Sequence, residues 1–456
     1  MATAHPESLV APGVGYRSIT EDVASVPLRF PSPRAWWIGF GLSTVGVGVL
    51  FASVTWLFWA GVGIWGVQSP VFWGFAISNY VWWIGMGHAG TLISALLLLI
   101  NKGWRNSLNR FAEAMTVFAV IQAAMYPILH LGRPWLFYWL IPYPNTMQVW
   151  PQFKSPLVWD VFAVGTYLIV SVLFWYIGLI PDLATVRDRA RRRIWQVFFG
   201  LLCLGWRNSA VHWRRWQIAY WITAGLALPL VVSVHSGVSM LFAVSLQPGW
   251  HTTIYPPYFV LGAVFEGFAV VLLISITLRH AFGLHHLVTD RHLDLLAKLM
   301  LAFGLMTAYG YIFEGFGAWY SGDQFERDAL HDRFFGTYAW SYWSAIFCNF
   351  VVLQAVWLRR VRRNATALVV IAALVTIGMW LERFMLLVTA LRRDFLPSSW
   401  QLFVPTFWDW AVFIGTIGLF FFLFFLFVRL LPMISMFELK EVFHEERAGG
   451  HRAAPS

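Results

Sequence analysis

Residues 75–100 read FAISNYVWWIGMGHAGTLISALLLLI, a run without a single Asp, Glu, Lys or Arg. A helix needs about 20 apolar residues to cross the hydrocarbon of a bilayer, and this run supplies them. It closes against Lys102, Arg105 and Arg110. Working outward, apolar segments of similar length lie near 37–60, 111–131, 157–180, 216–246, 257–279, 296–320, 337–358, 366–391 and 408–431. The composition agrees. Of 456 residues, 59% are hydrophobic and 12% charged, where a soluble domain carries about 25% charged residues. The expected fold is an all-α polytopic membrane protein with about ten transmembrane helices.

Charge sets the expected orientation. Loops after the second, fourth, sixth and eighth spans carry Lys102, Arg105 and Arg110, then Arg187, Arg189, Arg191, Arg192, Arg193, Arg207, Arg214 and Arg215, then Arg279, Arg291 and Lys298, then Arg359, Arg360, Arg362 and Arg363. The opposite loops carry only Arg133, Lys154, Arg327, Arg333, Arg392 and Arg393. By the positive-inside rule the first set is cytoplasmic, and an even number of spans leaves both termini there too. The net charge of +10 is thereby explained as topology, and nucleic acid is not an expected partner. The chain divides into an N-terminal cytoplasmic tail over 1–35, a transmembrane domain over 36–431 and a polar, loosely ordered C-terminal cytoplasmic tail over 432–456. The first residues lack a basic segment followed at once by an apolar core, so no cleavable signal peptide is expected.

The chain has two cysteines, Cys203 and Cys348. They are far apart, and a self-contained iron–sulfur or zinc site takes about four ligands. No metal site, haem or cluster is therefore expected within this chain. The titratable residues in the spans are few: Glu113, Asp160, Glu266, Glu314, Glu382, Arg383 and Asp409, with His88, His130 and His235. Intramembrane charge is expensive and points to function, yet each residue has a plain alternative. Glu113 reads as a snorkelling interface residue, Asp160 as a helix cap, and Arg383 as the structural partner of a carboxylate. His88 lies among small residues that permit close helix packing, and His235 reads equally well as bonded to a backbone carbonyl.

One stretch resists the plain reading. YPILHLGRPWLFYWLIPYPNTMQVWPQF, residues 126–153, ends a span with His130, Gly132, Arg133 and Pro134 and continues as an aromatic, Pro-rich loop leading back to Asp160. A hydroquinone is a flat, lipid-soluble ligand whose oxidation removes two protons and two electrons. A carboxylate or histidine in a partly desolvated pocket at the outer end of a helix suits the protons, and aromatic side chains suit the ring. The electrons need a partner, because this chain has no redox group of its own.

NYVWWIGMGHAGT at 79–91 and HLGRPW at 130–135 resemble the signature of the NrfD-like, polysulfide-reductase membrane-subunit family. With about ten spans the chain most resembles the quinol-site subunit of bacterial alternative complex III. That resemblance implies two four-helix bundles with flanking helices, in the bacterial inner membrane. It implies a quinol site near the periplasmic face, with His130 and Asp160 as catalytic candidates and Asn79 and Arg133 beside them. It further implies a proton route among His88, His235, Glu266, Glu314, Glu382, Arg383 and Asp409. The ligand would be menaquinone, or else ubiquinone. The partners would be a periplasmic iron–sulfur subunit, multihaem and monohaem cytochromes c and a second NrfD-like membrane subunit. Three other readings compete: a b-type haem anchor, a proton-coupled transporter, and an anchor that has lost its quinone site.

Overall fold

The structure, a computed structural model, describes residues 9–11, 13–28, 32–141 and 156–452. Residues 142–155, the centre of the aromatic loop with Lys154, lie outside the described residues, as do 1–8. Among the described residues there is helix and loop but no strand. The helices are α1 (Tyr16–Leu28), α2 (Arg34–Ala60), α3 (Gly74–Leu99), α4 (Asn109–His130), α5 (Pro156–Arg189), α6 (Arg193–Leu202), α7 (Ala210–Ala243), α8 (Tyr255–Ala281), α9 (Asp290–Tyr320), α10 (Gln324–Phe335), α11 (Ala339–Trp357), α12 (Ala365–Leu391), α13 (Phe407–Leu430) and α14 (Met436–Arg452). Ten of them are long and apolar enough to cross a membrane: α2–α5, α7–α9 and α11–α13. These match the ten apolar segments, so the chain is a multi-pass membrane protein.

Packing divides the spans as the resemblance implies. α3, α4, α5 and α7 close into one four-helix bundle, and α8, α9, α11 and α12 into a second. The bundles meet along α3 and α8, and the pair α2–α13 flanks the first bundle on α4. Small residues make the seams. A Cβ on Gly90 of α3 would collide with the Ala112 carbonyl oxygen of α4, and one on Gly267 of α8 would collide with Ala89 Cβ. The GMGHAG run is thus a close-packing surface on both sides, as small-residue motifs are in membranes.

The flanking pair shows the same device. A Cβ on Gly418 of α13 would meet Gly46 Cα of α2 at 2.6 Å. Gly418→Val is therefore expected to force α2 and α13 apart and cost about 1–3 kcal/mol, read as a lowered melting temperature of the purified chain. An unchanged melting temperature would show that the pair yields without loss.

Three spans carry a π-helical turn: Leu92–Leu96 in α3, Phe347–Val351 in α11 and Phe384–Val388 in α12. Such turns are uncommon and concentrate at functional positions. Here they adjoin His88, Asn349 and Arg383 respectively.

The segments expected as tails carry helices. α1 and α14 pack on each other on the face that bears the basic clusters, with Tyr16 Oη 3.0 Å from His444 Nδ1. The polarity of 432–456 predicts loose order, but α14 carries Glu438 into the base of the first bundle. There Glu438 accepts from Arg105 and, at 2.5 Å, from Asn109 Nδ2. Burial pushes the Glu438 carboxyl up, but Arg105 and Arg110 outweigh that and hold it below its ordinary value.

Glu113 also departs from its sequence reading. It does not snorkel. It is buried, 3.0 Å from Arg110 Nη1, with Asp182 3.7 Å from Arg110 Nε. By sequence Arg110 is a loop charge, but a buried guanidinium serving several carboxylates explains why Glu113 can lie inside.

The orientation can be tested directly. Cys203 and Cys348 are buried, so a cysteine placed at exposed Arg191 gives a clean signal. Labelling by a membrane-impermeant maleimide is expected only after the cytoplasmic side is opened. Labelling of intact cells from outside would reverse the orientation.

Candidate functional site

The helix end at His130 is built by backbone geometry. α4 stops at His130, and Gly132 follows with φ of 66°, a left-handed conformation that glycine adopts without strain. A Cβ there would also lie 2.8 Å from Val62 Cγ1. The Pro134–Leu140 3-10 turn then leads away, as a proline at a first helical position allows. His130 is thereby left on the last turn of α4 with its ring 5.9 Å from Trp73 and 6.3 Å from Trp65, nearly parallel to the latter.

Beside it a cavity of about 350 Å³ opens between α3, α4 and α5, on the face opposite the basic clusters. Its wall includes Trp73, Ile77 and Tyr80 from α3, Tyr126 and His130 from α4, and Asp160 and Val164 from α5. The lining is mostly apolar, with few polar groups. Asp160 accepts a hydrogen bond from the Tyr80 hydroxyl through Oδ2, while Oδ1 is buried without a partner among the described residues. His130 Nδ1 is likewise buried and unpartnered among them. Unsatisfied buried polar atoms cost stability and call for an explanation, and two of them bordering one apolar cavity suggest a polar ligand atom. Among the described residues Asp160 makes no cap bond.

The other two residues named with this pair stand apart from the cavity. Asn79 points towards α12, where Trp380 Nε1 donates to its Oδ1 at 2.8 Å. Arg133 is exposed and does not line the cavity. Tyr80 escapes the sequence reading, although the signal is present. Trp73, Ile77 and Tyr80 recur at helical spacing on one face of α3.

The remaining titratable residues form a file across the bundle seam. His88 and His235 lie with ring centroids 4.5 Å apart, and His88 Nδ1 is 2.5 Å from the Ile84 carbonyl oxygen. Rings at this separation leave no room for an iron porphyrin between them, which removes the geometric basis of the b-type haem reading. On α8, Glu266 is fully buried with neither oxygen partnered among the described residues. Its Oε2 would lie 3.1 Å from a Cβ on Gly85, so a larger residue there would crowd it.

In the second bundle Arg383 donates to Glu382 at 2.6 Å and lies over the Phe259 ring at 4.6 Å. This pairing is between neighbours on one helix, not across helices. Glu382 also accepts from Tyr311, which takes a 2.9 Å bond from Asn349 Nδ2. Tyr311 and Asn349 also escape the sequence reading, because lone polar residues on different spans carry no spacing signal.

Glu314 joins Arg333 at 2.8 Å and Tyr255 at 3.0 Å, at the wall of a second cavity of about 570 Å³ on the same face as the first. Asp409 does not join the file. It caps its own helix, accepting from Thr406 N at 2.7 Å and from Gly66 N at 2.8 Å. Among the described residues no group of three or more His, Cys, Asp or Glu is placed to hold a metal ion.

Ten spans, two bundles and an apolar cavity with a His–Asp pair at one membrane face define a helical membrane protein built to receive a small, largely apolar ligand. Residues 63–393 match the model of the polysulphide reductase NrfD family, and the chain belongs to that family. Three curated relatives place it further. The C-type subunit of the selenate reductase of Mesobacillus selenatarsenatis is 23% identical over 80% of this chain and 86% of its own length. The integral membrane subunit of an Hdr-like menaquinol oxidoreductase from Archaeoglobus fulgidus is 23% identical over 87% of this chain and 95% of its own. A membrane subunit assigned to a dimethyl sulfoxide reductase in Halobacterium salinarum is 27% identical, but the match spans only 46% of this chain and 44% of that protein. All three are named as parts of oxidoreductase systems.

Proposed function

We propose that this chain is the quinol-oxidising membrane subunit of a respiratory or photosynthetic electron-transfer complex, of the alternative complex III type. The observation that carries the reading is the cavity bounded by both His130 Nδ1 and Asp160 Oδ1. Its volume falls in the ordinary range for small-ligand pockets, and its apolar wall with two acceptor sites suits a quinol headgroup. The charge pattern assigns this face to the periplasm.

In the proposed reaction a quinol enters from lipid and is held against Trp73, Ile77 and Tyr126. Its two hydroxyl protons pass to His130 and Asp160, and from there to the periplasmic water. Tyr80 fixes the Asp160 carboxylate. The two electrons pass to an iron–sulfur protein docked outside and then to multihaem and monohaem cytochromes c, and quinone leaves by the lipid side. The name of the Archaeoglobus relative favours menaquinol, with ubiquinol as the other candidate. The proposed assembly also includes a second NrfD-like membrane protein.

The file from His88 and His235 through Glu266, Arg383 and Glu382 to Glu314 is the proposed proton route. It contains unpartnered carboxylate oxygens in the middle of the membrane, which water or a moving proton must satisfy. Asp409, engaged as a cap, contributes there only if the cap opens. The same file is what a proton-coupled transporter would use, and quinol turnover separates the two. Assembled complex carrying His130→Ala or Asp160→Asn is expected to lose quinol oxidation. Unaltered turnover in both would remove the reading.

A further inference from the structure

The helix α6 belongs to neither bundle. It follows α5 after a short break and folds back along it, held by one apolar face. Trp195 packs near Phe199, which is fully buried with Cys203. Tyr176 donates to the Leu202 carbonyl at 2.6 Å, and Arg187 Nη1 to the Trp206 carbonyl at 2.9 Å. The end of α6 therefore sits level with Tyr176, inside the apolar length of α5, instead of projecting into water.

The helix has a second apolar face. Ile194, Val197, Phe198 and Leu201 recur at i, i+3, i+4 and i+7, the spacing of one helical stripe. Ile194 is 71% exposed, Leu201 73% and nearby Leu204 70%. No described part of the chain covers this stripe.

Charge surrounds it. Between 187 and 215 there are eight arginines and one acid, Asp188, which Arg187 already engages at 2.8 Å. Arg189, Arg191, Arg192, Arg193, Arg207, Arg214 and Arg215 project around the stripe, and Arg191, Arg192 and Arg207 are exposed. Trp206, Trp213 and Trp216 gather at the same level, with Trp216 donating to the Ile177 carbonyl at 2.7 Å. Indoles concentrate where hydrocarbon meets headgroups.

A short helix with an exposed apolar stripe and an arginine collar, at the depth of a membrane interface, has the features of an in-plane lipid-binding helix. We propose that α6 and the flanking arginines form a binding site for anionic phospholipid. Ile194, Leu201 and Leu204 enter the acyl boundary, and the guanidinium groups take the headgroup phosphates in paired hydrogen bonds. A soluble acidic partner would satisfy the arginines but not the apolar stripe at the level of Tyr176, so the membrane leaflet is the favoured occupant.

The test uses full-length protein in neutral detergent, titrated with phosphatidylglycerol, phosphatidylcholine or inorganic phosphate and read by native mass spectrometry and melting temperature. Phosphatidylglycerol is expected to bind and stabilise well beyond the other two. The combined Arg191→Gln, Arg192→Gln and Arg193→Gln variant alters only exposed residues and is expected to keep the lipid-free melting temperature. Juxtamembrane arginines contribute enough each that losing three weakens phosphatidylglycerol binding roughly a hundredfold. Leu201→Ser with Leu204→Ser is expected to weaken both lipids together. Equal binding of the two lipids, or full phosphatidylglycerol binding by the triple variant, would overturn the proposal. So would inorganic phosphate reproducing the stabilisation. If the triple variant sheds a partner protein from the complex while holding phosphatidylglycerol as the parent does, the surface is a protein interface and the proposal fails.

Discussion

His130→Ala and Asp160→Asn are each expected to lower quinol oxidation by the assembled complex about 10²–10⁴-fold, the range for loss of a positioned proton acceptor. The expectation rests on geometry. The two residues come from different helices, α4 and α5, and border one apolar cavity with one unpartnered polar atom each among the described residues. Neither is tied into the ion network at the base of the bundle, so both variants are expected to assemble. Tyr80→Phe discriminates further. It removes the only hydrogen bond that the described residues give to Asp160, and a bond to a charged group is worth about 1.5–3 kcal/mol. A loss of roughly 10–100-fold is therefore expected for Tyr80→Phe, smaller than for Asp160→Asn. Steady-state turnover with a soluble quinol analogue checks all three. Equal losses for Tyr80→Phe and Asp160→Asn would mean that the tyrosine itself takes the proton.

The largest effect on stability is expected at the other end of the same bundle. Arg110 is fully buried, and it holds Glu113 at 3.0 Å, Asp182 at 3.7 Å and Glu438 at 3.8 Å while donating to the Gly178 carbonyl at 2.5 Å. Arg110→Ala leaves buried carboxylates without a counter-charge. Breaking a buried ion pair on one side costs about 3–5 kcal/mol, read by thermal or denaturant unfolding in detergent. Adding Glu113→Gln to Arg110→Ala is expected to recover part of the loss, because one stranded charge is removed.

The pH dependence has a definite sign. Glu438 is held below its ordinary value in the folded chain, so its stabilising contribution is complete above the ordinary glutamate value. It is lost as pH falls through the lower folded value. α14 is therefore expected to become protease-sensitive in acid, and Glu438→Gln to make it so at neutral pH. Equal protease resistance of Glu438→Gln and the parent would show that this carboxylate does not hold the helix in place.

The spans are legible because membrane crossing imposes a length and an apolarity that sequence displays directly. His130 and Asp160 are legible because a histidine before Gly-Arg-Pro and an aspartate opening the next span break an otherwise apolar pattern. Glu113 defeats the sequence reading because its partners Arg110, Asp182 and Glu438 come from α4, α5 and α14, and no local spacing relates them. The C-terminal segment reads as a loose tail for the same reason, since its polarity conceals one carboxylate that is buried by arginines far away in the chain. Asp409 shows the reverse error. A carboxylate in the first turn of a helix looks intramembrane by position, yet its bonds to Thr406 and Gly66 are those of a cap. Tyr311 and Asn349 give no signal, because a single polar residue per span acquires meaning only when the second bundle brings α9, α11 and α12 together.

The central claim, that a quinol binds between α3, α4 and α5 beside His130, is tested most directly by photoaffinity labelling of the assembled complex with an azidoquinone. Crosslinked peptides are expected to fall within residues 73–80, 124–131 and 160–168, with labelling competed away by unmodified menaquinone. Competed label concentrated instead on Glu314, Arg333 and the wall of the second cavity, with none beside His130, would contradict it.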